Sequence, residues 1–211
     1  MVPFAAWSQS AASALKAVAQ VEGITEYRLS NGLRVLLAPD ASKPTTTVNI
    51  TYLVGSRHEN YGETGMAHLL EHMVFKGTPG HKNIPQELTA HGARPNGSTW
   101  FDRTNYFETV PANQVELALW LESDRMGHLL GAIDQTRLDE QRGVVQNEKR
   151  QRDNQPYGLS SYAQQEALFA VGHPYRHSSI ASMADLDAAS LETVRNWFRD
   201  NYGPNNAVLV L

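Results

Sequence analysis

The segment HLLEH, residues 68–72, places two imidazoles and a carboxylate on one short stretch. On a helix, His68 and His72 differ by about 40° around the axis, so both rings can reach one metal ion from the same face. Glu71 lies about 60° from His68, so its carboxylate can stand beside a metal without ligating it. Two imidazoles to hold a cation and a carboxylate to take a proton from water are what a hydrolytic zinc requires. A catalytic zinc usually takes three protein ligands and leaves a position open, so a further carboxylate or imidazole must face inward from elsewhere. Glu148 is the candidate, read as inward because it lies four residues after Val144 and seven after Gln141 in RLDEQRGVVQNEKRQR. Lys149, Arg150 and Arg152 gather toward the end of that segment, where cations suit the helix dipole.

The surrounding pattern defines elements able to position these residues. TEYRLSNGLRVLLAPD reads as a β-hairpin turning at Asn31 and Gly32, and TTTVNITYLVGS as a third strand. Helical spacing of Met66, Leu69, Leu70, Met73 and Val74 follows, with Thr64 as expected cap and Gly77-Thr78-Pro79 as stop. IPQELTAHG reads as a short helix, then ARPNGSTW and RTNYFETV as two strands. Pro95 cannot donate to a ladder, which makes the first of these an edge strand. Beyond Pro111 the chain reads as helical for about ninety residues. Val115, Leu119, Met126 and Leu130 mark one face, and later segments run over 136–153, 159–171 and 191–201. Ser190 is the expected cap of the last, which buries Leu191, Val194, Trp197 and Phe198. AVLVL opens a final strand in which the sequence stops, as in a fragment of a longer polypeptide. Strands first, helices later and a returning strand predict an α+β fold, a mainly antiparallel sheet with helices packed on one face.

Composition narrows the chemistry. The chain has 211 residues, 41% hydrophobic and 19% charged, with a net charge of −4, and so carries no basic field suited to nucleic acid. Without cysteine it has no disulfide, no thiolate nucleophile and no sulfur ligand for zinc, leaving His, Asp and Glu to hold any metal. No apolar run reaches the roughly 20 residues of a membrane span. Residues 1–23 read as an N-terminal arm or signal remnant, ahead of the motif-bearing residues 24–211.

With these residues in view, the chain resembles the pitrilysin and insulinase family of zinc metallopeptidases, the inverzincins, and specifically the N-terminal catalytic domain of bacterial and mitochondrial-processing-peptidase-like members. The likeness rests on HLLEH, with 75 residues between His72 and Glu148, and on NGLRVLLAPD, VGSRHE, EHMVFKGT, NGSTWFDRTNYFETV, RGVVQNEKRQ and GHPY. It implies one Zn²⁺ per chain on His68, His72 and Glu148, with Glu71 as general base. It also implies a peptide substrate pairing with the edge strand at Asn96, Gly97, Ser98 and Thr99. A second glutamate common in the family is replaced by Gln141, a neutral neighbour of the metal site. A second homologous half, which in the family contributes an Arg and a Tyr that grip substrate, is absent from the sequence. A second domain or subunit, in a homo- or heterodimer, is therefore an expected partner. Relatives with this pattern are often exported, which favours a periplasmic or secreted location.

Two other readings compete: a noncatalytic peptide-binding or assembly subunit, and a structural zinc module. The first normally loses the motif kept here, and the second leaves Glu71 without a task. His173 and His177 repeat the four-residue spacing, but Pro174 breaks the helix they would need. His58, His81, His91 and His128 have no partner at ligand spacing, and Trp100, Trp120 and Trp197 read as core.

Overall fold

The protein, described here as a computed structural model, is defined over residues 15–211. The first fourteen residues of the expected arm lie outside the described residues. Seven strands form one sheet: β1 (Ala17–Val21), β2 (Ile24–Arg28), β3 (Arg34–Leu37), β4 (Thr45–Tyr52), β5 (Arg94–Thr99), β6 (Thr104–Pro111) and β7 (Ala207–Val210). Their spatial order is β1-β2-β3-β7-β4-β6-β5. Among the described residues only the β3–β7 pair is parallel, so the sheet is mainly antiparallel.

Alternation along β4 explains the layering. Val48, Ile50 and Tyr52 are buried, while Thr47, Asn49 and Thr51 face outward. A strand of period two can cover only one face with apolar side chains. Against that face pack α1 (Met66–Phe75), α2 (Ile84–Ala90) and α3 (Val115–His128); α4 (Gln135–Asp153) packs on α1, and α5 (Ser160–Leu168), α6 (Met183–Ala188) and α7 (Leu191–Asn201) follow in the chain. The architecture is the expected α+β. Leu69, Leu70, Leu138, Val145, Val194 and Phe198 join helices α1, α4 and α7 to the sheet's centre. Each such side chain contributes about 1.5–3 kcal/mol by leaving water. Among the described residues no helix is long and apolar enough to cross a membrane.

Several local expectations change. The tight hairpin turn is Glu22-Gly23, both at positive φ (48° and 85°), joining β1 to β2. At the expected turn only Gly32 has positive φ, and the connection from Leu29 to Leu33 is longer than two residues. The long helical stretch is broken, with α5 ending at Leu168 and a loop preceding α6. On α3 the expected Val115, Leu119 and Met126, and Leu130 just beyond it, pack partly buried against the core, while the fully buried positions are Ala118, Leu121, Glu122 and Arg125, two of them an ion pair. Trp100 and Trp120 are more than half exposed and do not belong to the core, whereas Trp197 is partly buried against it. Ser190 caps α7 as expected, its Oγ accepting from Thr193 N at 3.0 Å.

Candidate metal centre

Helix α1 carries the HLLEH segment with His68 and His72 one turn apart on the side facing α4. Gly65, at φ 93°, is its N-cap. Thr64, the expected cap, instead donates its hydroxyl to Asp185, which also accepts from the Thr64 amide at 3.1 Å. An L side chain at position 65 would meet the Ala181 Cβ at 2.2 Å, so close packing as well as backbone sign demands glycine there. Leu69 and Leu70, fully buried, fix the helix's rotation and leave the two histidines at its margin, with side chains 13% and 22% exposed.

Helix α4 supplies the third group. Asp134 caps it, accepting from Arg137 N at 2.8 Å, and Leu138, Gln141 and Val145 are its buried positions. Glu148 projects from its half-exposed margin, and Val144, taken from the sequence as part of the same inward stripe, points to solvent. Glu148 Oε2 nevertheless stands 3.6 Å from His68 Nε2 and 3.4 Å from His72 Nε2, and the two Nε2 atoms are 3.3 Å apart. Among the described residues this is the one group of three His, Asp or Glu side chains whose donor atoms lie within 4.8 Å of one another.

The electrostatics fit a cation at that point. Burial, reinforced by the neighbouring His72, pushes His68 down to about 4, so its imidazole is neutral near pH 7 and offers a lone pair. The hydrogen bond from His72 holds the Glu148 carboxyl below its usual range. Two imidazole nitrogens and a carboxylate oxygen converging on one point form an N,N,O donor set of the kind zinc accepts. His68 Nδ1 is buried with no acceptor among the described residues. Gln141 is buried as well, its Nε2 unpartnered, and no hydrogen bond joins it to the three converging side chains.

Glu71 occupies the floor of the adjoining cleft, a space of about 250 Å³ that also reaches His68, Glu148, Arg152 and the residues of β5. It is 8% exposed, and burial raises its carboxyl while the Thr99 hydroxyl, donating to Oε2, opposes the rise. Strand β5 is one edge of the sheet and, among the described residues, pairs only with β6. Gly97 explains how the strand comes so near. A Cβ there would lie 2.7 Å from the Phe75 ring and 3.1 Å from Glu71 Oε1. Ser98 turns to the other face, donating to Asn105 at 2.8 Å, and Asn96 Oδ1 accepts from the Gly97 amide at 2.8 Å.

The other histidines stay apart from this centre. His173 and His177 sit in the loop between α5 and α6, as Pro174 required. His81 contacts Glu87 at 2.8 Å and His128 contacts Asp124 at 2.9 Å. Sequence pattern missed Ser179 and Ile180, which line the cleft from an irregular loop that carries no periodic signal. Arg152 was read only as a helix-end cation, yet it too borders the cleft.

Comparison with known proteins places the chain among peptidases. The family described as insulinase, peptidase family M16, matches residues 34–171. The zinc protease PqqE of Helicobacter pylori is 33% identical over 187 residues, which is 87% of this chain and 41% of that protein. The crystal structure of a protease from Helicobacter pylori has a TM-score of 0.83 at 32% identity, over 89% of this chain and 45% of that one. The first half of the periplasmic protease PqqL from Escherichia coli shares the fold, with a TM-score of 0.81 at 24% identity over 92% of this chain and 43% of that one. The chain spans less than half the length of each.

Proposed function

Because this chain belongs to the insulinase family of peptidases, peptidase family M16, we propose that it is the zinc-holding domain of a metalloendopeptidase that hydrolyses peptide bonds. The observation that carries the reading is the convergence of His68, His72 and Glu148 from two helices onto one point, beside a buried Glu71. These three side chains would hold the metal. Zinc in that position supplies a Lewis acid that acidifies water and polarises a carbonyl.

The chain's own residues do the rest. Glu71 takes the proton of the attacking water at a carboxylate oxygen and passes it to the leaving amine. Its burial raises its proton affinity toward that of a useful base, and Thr99 fixes the orientation of Oε2. The free edge of β5, at Asn96 to Thr99, is positioned to hold an extended peptide by main-chain pairing, which gives affinity with little demand on sequence. Gly97 leaves room for the scissile bond to approach Glu71. The peptide must displace the Asn96 side chain from the Gly97 amide to pair there.

The relatives' greater length supports a second pitrilysin-like half as partner, in the same polypeptide or as a separate subunit. Gln141 would act as a neutral neighbour of the metal helix in place of a carboxylate. Replacing Glu71 with Gln keeps the shape of the site and removes the proton acceptor. Glu71→Gln, assayed together with the second half, is expected to lower turnover of an unstructured peptide by about 10²–10⁴-fold. Hydrolysis within a few-fold of the parent would defeat the assignment of Glu71 as base.

A further inference from the structure

The N-terminus of α1 has a feature that the hydrolytic reading does not use. Gly65 as N-cap offers no side chain, yet the first turn of any helix needs acceptors for its amides. Both acceptors come from Glu59, six residues upstream. Its Oε2 accepts from the Gly65 amide at 2.8 Å and its Oε1 from the Ala67 amide at 3.0 Å, immediately before His68. The Glu59 side chain is fully buried, a placement that is unfavourable without a task.

Glu59 follows a short turn, Ser56–His58, that is itself tied to the end of the edge strand. The Ser56 amide donates to Trp100 O and the Arg57 amide to Phe101 O, each at 3.0 Å. A Cβ at Gly55 would lie 2.2 Å from Trp100 O, so the turn and the strand end are in direct contact. One carboxyl group thus links the start of the metal-bearing helix to the strand that would receive substrate.

We propose that Glu59 is a positioning residue: bound to the amides of Gly65 and Ala67, it clamps the first turn of α1 and sets where His68 points relative to β5. The inference rests on the reading of His68 as a zinc ligand. His177 is the nearest titratable neighbour, with Nδ1 at 3.7 Å from Glu59 Oε2, its side chain 9% exposed and neither ring nitrogen partnered. Asp185 on α6 grips Thr64, the Tyr61 ring meets His177 edge-on at 6.0 Å, and Lys149, Glu166 and Arg176 border the same pocket as His177. Burial raises Glu59 to about 8, against the two amide bonds, and pushes His177 down. The clamp therefore tightens as Glu59 ionises in mildly alkaline solution, since an ionised acceptor makes the stronger hydrogen bond.

The test is zinc affinity, measured by chelator competition between pH 6.5 and 9 for the parent, Glu59→Gln and His177→Arg. Glu59→Gln is expected to weaken zinc about tenfold at pH 9, in line with losses of groups that orient metal ligands, and less at pH 6.5. His177→Arg, which places a permanent cation beside Glu59, is expected to carry the tight-binding regime to lower pH by about one unit. A Glu59→Gln variant with parental affinity throughout, or weakened equally at every pH, would overturn the proposal. If Glu59→Gln does not fold, His177→Arg decides alone, and an unmoved pH profile overturns it. Amide exchange at Gly65 and Ala67 reads the clamp without metal: protection in the parent that deepens toward pH 9 supports it, and none overturns it. Zinc kept by His68→Ala would instead refute the ligand assignment.

Discussion

Two clusters of ionisable side chains lie on the same side of the sheet, and they differ in what surrounds them. Around His68, His72 and Glu148 the donors point at a common position on a cleft, and Glu148 remains half exposed. Around Arg125, by contrast, everything is sealed. Its guanidinium pairs with Glu122 and lies 4.9 Å from the Tyr106 ring centroid and 5.9 Å from that of Phe75, with buried Glu108 close enough to act on its charge. Both clusters shift proton affinities, so a perturbed pKa alone does not identify a functional site. What sets the first cluster apart is that its donors converge on an accessible point. The Arg125 guanidinium lies over Phe75, whose ring in turn packs close against Gly97.

That contrast can be broken from the buried side first. Arg125→Met leaves two carboxyl groups buried without their cation, and is expected to destabilise the chain by about 3–5 kcal/mol in urea unfolding. Zinc bound per folded molecule should not change. A destabilisation below about 1 kcal/mol would mean the cluster is less enclosed than its burial indicates.

A smaller effect concerns pH. Burial raises Glu108 to about 7, with Arg125 opposing the rise. A carboxyl raised in the folded state contributes stability that is complete below its unfolded value near 4.5 and is lost as pH rises through about 7. The parent should therefore lose stability relative to Glu108→Gln between pH 5 and 8. Parallel stability profiles for the two proteins would remove this reading.

The smallest expected effect returns to the cleft side. Gln141→Glu restores a charge near the metal helix and is expected to strengthen zinc binding several-fold, measured by chelator competition. A weakened affinity would show that the buried amide is better suited to its surroundings than a carboxylate.

The same contrast explains what could be read in advance. His68, Glu71 and His72 were legible because helical spacing alone puts them on one margin, and Leu69 and Leu70 turn that margin toward α4. Glu148 was found, but part of the argument for it failed: Gln141 is buried, whereas Val144 is 42% exposed. The edge position of β5 followed from Pro95. Apolar periodicity found the partly buried residues of α3, Val115, Leu119 and Met126, but not its fully buried side, where Glu122 and Arg125 bury polar atoms. Helix α6 went unread, although Ser182 and Asp185, three residues apart, carry its capping signal. The Glu22-Gly23 turn lay in a stretch taken as an arm, and its strand β1 is exposed along its whole length, which leaves little apolar alternation to detect.

In the proposed site three side chains, His68, His72 and Glu148, and not Glu71, hold the metal. Elemental analysis of zinc per folded chain tests it most directly, comparing the parent with Glu71→Gln, His68→Ala, His72→Ala and Glu148→Ala. The account predicts about one zinc in the parent and in Glu71→Gln, and close to none in the other three. Stoichiometric zinc retained by His68→Ala, His72→Ala and Glu148→Ala alike would contradict it.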